Sequence, residues 1–183
     1  MVKIFKSLMI LLMFFSCSLF NVQKHTVLNL TIKTYDNFSN EYISTIENDL
    51  LFLDEVKLND FATVITSNIS IVDIDENNCS SLQVACVFPD RSKIIFIRPS
   101  FFKLNQTERL GTLLHEVAHI KLRNFDHVPC VSPLITNTEC DEHADLAFGL
   151  ELQFYKALDS VRPNTQTKRC IEKTKIRINN LVL

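Results

Sequence analysis

The chain has 183 residues, 46% hydrophobic and 22% charged, which suffices for the core of one ordinary domain and argues against disorder. Its 19 lysines and arginines against 21 aspartates and glutamates leave a formal net charge of −2, so no nucleic-acid partner is expected. Glycine occurs only at Gly111 and Gly149, which excludes glycine-rich phosphate loops and dinucleotide fingerprints by counting.

Residues 1–20 read as a signal peptide: Lys3 and Lys6, then the apolar run Leu8 to Phe15, then Ser16-Cys17-Ser18. The run is shorter than the about 20 apolar residues that a membrane-spanning helix needs. Phe14-Phe15-Ser16-Cys17 resembles a bacterial lipobox, which implies a lipid on Cys17 that would tether the protein to a membrane without spanning it. Export to the cell envelope, or secretion, would leave residues 21–183 as one domain in a compartment where disulfides form. Near neighbours in sequence suggest Cys79–Cys86 and Cys130–Cys140, with Cys170 single, although spacing alone does not fix the connectivity. The cysteines lack the Cys-x-x-Cys pairs of a zinc ribbon.

Along residues 21–183, Thr26 to Tyr35 alternates as a strand does. Ser39 then caps a helix to about Leu53 that carries Ile43, Ile46 and Leu50 on one side. The β-branched pairs and runs Val64–Ile65 and Ile69–Ile74 read as strand. So do Gln83–Phe88 and Lys93–Ile97, joined by the hairpin-like Pro89-Asp90-Arg91-Ser92. Asn105 with Glu108 three residues on is a capping-box-like start for a helix over Gln106–Leu122. After a loop with Pro129 and Pro133, a helix is expected over Glu139–Ala157. Arg162-Pro163 then separates it from a last helix near Thr167–Asn179. The fold class expected is α+β, a small mixed or antiparallel sheet packed on helices in one domain.

The chemistry concentrates in Gly111-Thr112-Leu113-Leu114-His115-Glu116-Val117-Ala118-His119. Histidines four apart on a helix stand one above the other on the same face, so His115 and His119 can bind one Zn2+. Glu116 beside them can take a proton from water activated by the metal. Leu110, Leu113, Leu114, Val117 and Ile120 form the apolar side of this helix. Gly111 and Thr112, one turn before His115, are small enough to let a second element approach closely. The other reading is an ordinary amphipathic helix that carries two histidines and a glutamate by chance.

At these residues the sequence resembles the zinc metallopeptidases with a His-Glu-x-x-His helix, the zincins. The resemblance covers roughly residues 83–154 and implies a peptide or protein substrate, with the edge strand Lys93–Ile97 lying over the cleft. The metzincin branch, which wants glycine at 122 and histidine at 125, is rejected by Leu122 and Phe125. In gluzincins a glutamate from a later helix is the third ligand, and an aspartate four residues on supports a zinc histidine. Here that pair is Asp141 and Asp145, with an aspartate ligand as in the deuterolysin-like branch. On a continuous helix Asp141 and Asp145 would share a face with Phe148, Leu152 and Tyr155, while Asp141 could equally serve the helix dipole. Glu142 on a solvated side, His143 on an apolar stripe and His127 in the preceding loop remain alternatives for the third position. The resemblance thus implies a zincin-like hydrolase with Glu116 as general base. The alternative is a catalytically inactive envelope lipoprotein of the same fold that serves as a binding or structural module.

Overall fold

Val22–Val27 (β1) and Leu30–Tyr35 (β2) pair antiparallel, from Val22↔Tyr35 to Val27↔Leu30. The stretch read as one strand from Thr26 is therefore a hairpin. Leu28 and Asn29 at its tip have φ of 45° and 71°, the left-handed pair that a tight turn between twisted strands demands. Leucine adopts that region at a cost, so the turn carries no glycine signature in the sequence.

The computed structural model describes residues 22–35, 39–77, 79–91, 93–125 and 146–180. The expected signal peptide with Cys17, the Cys130–Cys140 pairing, and His127, Asp141, Glu142, His143 and Asp145 lie outside the described residues. Helices Ser39–Glu55 (α1) and Asn59–Asn68 (α2) link β2 to Ile71–Ile74 (β3). Ala85–Cys86 (β4) and Ile94–Ile97 (β5) complete a mixed five-stranded sheet of order β1-β2-β3-β5-β4. β3 runs parallel to β2 and β5, and β4 runs antiparallel to β5 on the edge. After the 3-10 turn Pro99–Lys103 come helices Gln106–Leu122 (α3), Ala147–Val161 (α4) and Thr165–Asn180 (α5). The fold is thus α+β, and among the described residues no helix is long and apolar enough to cross a membrane.

Register explains the core. Ile32, Val72 and Ile95 are cross-strand neighbours, as are Thr34, Ile74, Ile97 and Ala85, and all seven are buried. Because strand side chains alternate, these form one face, and helices cover it with Ile46, Leu50, Leu110, Leu114 and Val117. In α1 the apolar positions Ile43, Ile46, Leu50 and Leu53 are buried as the helical period requires.

Val64 and Ile65 are helical rather than extended. In α2 the spacing of Phe61, Ala62 and Ile65 packs a whole face on the core, which outweighs the strand preference of one β-branched pair. The helix α3 has the bounds read from the sequence. Asn105 Oδ1 accepts the Glu108 backbone N–H at 3.1 Å while its Nδ2 donates to Glu108 Oε2 at 2.6 Å. A second clamp is deeper. Arg109 donates from Nε and Nη2 to the two carboxylate oxygens of buried Asp49 at 2.6 and 2.7 Å, and from Nη1 to the Leu104 carbonyl at 2.6 Å. The first turn of α3 is thereby fixed to α1.

Candidate metal centre

His115 and His119 stand one turn apart on α3, with ring centroids 5.0 Å apart and planes crossing at 78°. His115 Nδ1 lies 3.1 Å from Glu151 Oε2, and His119 Nδ1 lies 2.6 Å from the carbonyl oxygen of Asn124. A carboxylate and a carbonyl can only accept, so each Nδ1 carries a proton, and when the ring is neutral its lone pair is on Nε2. This is the tautomer a metal-binding histidine needs, held by the partners such histidines ordinarily have. The Phe148 ring meets His115 edge-on at 4.7 Å, and Phe125 stacks on His119 at 6.3 Å, which further limits rotation of both imidazoles.

Glu116 is buried beside them and lines the same cleft, a cavity of about 390 Å³. One wall is α3 with Thr112, His115, Glu116 and His119. The opposite wall is the segment from Leu82 to Val87 that contains β4, and Phe148, Glu151 and Arg177 close the end. The edge strand at the cleft is therefore β4, whereas Ile94–Ile97 lies inside the sheet between β3 and β4. That corrects the placement of Lys93–Ile97 as the edge. The strand itself is legible within Gln83–Phe88, but which of the two strands is outermost depends on pairing with distant β3. The Arg98 backbone N–H donates to the Val84 carbonyl at 2.9 Å, so Val84 and Cys86 face β5. Ala85 between them turns its N–H and carbonyl toward the outer edge, where no strand pairs among the described residues. A Cys79–Cys86 disulfide anchors this segment, as expected from their spacing, and Cys170 is a free, buried thiol.

Glu151 was not among the residues singled out from sequence. It is the one charged residue between Leu146 and Tyr155, in a run otherwise made of apolar residues, glycine, glutamine and tyrosine. A lone acid in such a run is the signal that could have found it, because a buried carboxylate requires partners. Its Oε1 accepts from Thr174 Oγ1 at 3.2 Å and lies 3.7 Å from Arg177 Nη1. Burial alone would raise the Glu151 carboxyl. The hydrogen bond and charge of His115, the Arg177 charge and a hydrogen bond from Tyr155 hold it below the usual range instead.

The third-ligand question changes with the start of α4. Leu146 is extended (φ −83°, ψ 170°) and the helix begins at Ala147, not Glu139. The helical register that would align Asp141 and Asp145 with Phe148, Leu152 and Tyr155 therefore does not run through Leu146. Asp141, with Glu142, His143 and His127 as alternatives, lies outside the described residues, as does Asp145. Among the described residues no group of three or more His, Cys, Asp or Glu is placed to hold a metal. His115 and His119 have the spacing that two ligands of one metal ion need, and their Nδ1 partners are compatible with that use. No family model matches this chain, and neither a curated protein nor a solved structure matches it.

Proposed function

We propose that the chain is a zinc-dependent metallopeptidase of zincin-like architecture, with His115 and His119 as two metal ligands and Asp141 as the third. The observation that carries this reading is the pair of Nδ1 contacts, to Glu151 and to the Asn124 carbonyl, which put a proton on each Nδ1 and so assign metal binding to Nε2. Bound zinc would supply Lewis acidity, polarising a peptide carbonyl and making water a stronger acid. Glu116 takes a proton from the attacking water and returns it to the departing amine as the C–N bond breaks. Ala85, on the edge strand, offers an N–H and a carbonyl to an extended peptide, which fixes the scissile bond along the cleft. The Cys79–Cys86 bridge favours an oxidising, extracytoplasmic location, in keeping with an exported protein that a lipid on Cys17 would tether.

Substitution Glu116→Gln preserves shape and removes the base. Zinc content and fold are expected to stay, while peptide hydrolysis falls by about 100- to 10,000-fold. Undiminished hydrolysis in the variant would reject Glu116 as the base. A zinc-loaded wild type that binds peptides and cleaves none would replace the enzyme with a binding module.

A further inference from the structure

We propose that the C-terminal helix α5 is part of this centre, with Arg177 and Thr174 as positioning residues that fix Glu151 so that His115 presents Nε2 to the cleft. The inference rests on reading His115 as a metal ligand. Glu151 divides its two oxygens cleanly: Oε2 faces His115 Nδ1 at 3.1 Å, while Oε1 meets Thr174 Oγ1 at 3.2 Å and Arg177 Nη1 at 3.7 Å. The Glu151 and Thr174 side chains are buried, so the second carboxylate oxygen is held by Thr174 and Arg177 while the first faces His115. Arg177 adds a positive charge from a helix more than fifty residues along the chain from the motif. It also lines both the main cleft and a neighbouring cavity of about 240 Å³, and its own side chain is largely exposed. A surface ion pair at this distance would ordinarily contribute little to stability. The role assigned here is orientation of the acceptor, which stability does not report.

The test uses the full chain and zinc alone as the probe. Arg177→Met and Thr174→Val are each expected to weaken zinc binding about 10-fold, the lower end for partners that orient a ligand, while the metal-free protein stays folded. Arg177→Lys restores most of the affinity. If Arg177 acts through Glu151, Arg177→Met adds no further loss to a Glu151→Gln background. Wild-type affinity in Arg177→Met, or additive losses in the double variant, would overturn the proposal. A readout free of metal is the ¹⁵N spectrum of His115 in the zinc-free protein. Its Nδ1–H signal is expected to be protected from solvent exchange in wild type and to exchange faster in Arg177→Met, and equal exchange in both would also overturn it. A wild type that binds no zinc yet shows this exchange difference would refute the metal reading and leave the positioning role standing.

Discussion

A Cβ built on Gly111 would lie 2.0 Å from the Tyr155 hydroxyl oxygen and 2.3 Å from its Cζ. Glycine is therefore required at this position by the close approach of α4, which is the role its small size suggested one turn before His115. Replacing a mid-helix glycine with alanine ordinarily stabilises by about 1 kcal/mol. Here Gly111→Ala must displace the buried Tyr155, and the expected outcome is a loss of about 1–3 kcal/mol by thermal unfolding, with weaker zinc binding. A higher melting temperature would contradict this packing. Cys170 offers a second check on residue environment. Burial raises its thiol pKa, the Glu108 and Glu151 carboxylates add to the effect, and the Gln166 hydrogen bond and Lys173 charge oppose it. The native state thus favours the protonated thiol, so its contribution holds below the ordinary thiol pKa and is lost as pH rises above it. Mass spectrometry of the Cys170 peptide after thiol labelling at neutral pH should show little modification in the native protein and full modification in denaturant.

At the scale of elements, α3 depends on two local devices and one distant one. The Asn105–Glu108 cap and the apolar period are both written in adjacent residues, which is why this helix could be read from sequence to its ends. The Asp49–Arg109 pair joins residues 60 positions apart and could not be. Removing one partner leaves a buried charge without compensation, so Asp49→Ala is expected to cost about 3–5 kcal/mol in chemical denaturation. The double change Asp49→Ala with Arg109→Met should cost less than Asp49→Ala alone, because no charge is stranded. If the two cost the same, the ion pair does not govern the effect. The same distinction explains the other departures. The Leu28–Asn29 turn uses left-handed residues without glycine, Val64–Ile65 is claimed by a helical face, and Ile94–Ile97 is interior because it pairs with distant β3 as well as with β4. That His115, Glu116 and His119 come together beside one cleft was legible because residues three and four apart on a helix are neighbours. Glu151 joins His115 only through the packing of α4 on α3, a contact that no spacing in the sequence encodes.

For the whole molecule, the sheet, α3, α4 and α5 each give one wall of a single cleft, and the disulfide secures the wall nearest the sheet edge. Within this arrangement the two histidines proposed as zinc ligands lie on a helix anchored at its first turn. Their orienting partners come from α4 and from the turn after α3, so metal affinity becomes a property of the packed domain rather than of the motif alone. The most direct test of the account is the zinc content of the full chain purified without chelators, in wild type and in the variants His115→Ala, His119→Ala and Asp141→Ala. The account predicts about one zinc per wild-type chain, with sharp loss in all three variants. Zinc retained only in Asp141→Ala would move the third ligand to Glu142, His143 or His127. A wild type that takes up no zinc even after remetallation, or histidine variants that bind it as well as wild type, would contradict the metal centre on which the proposed function rests.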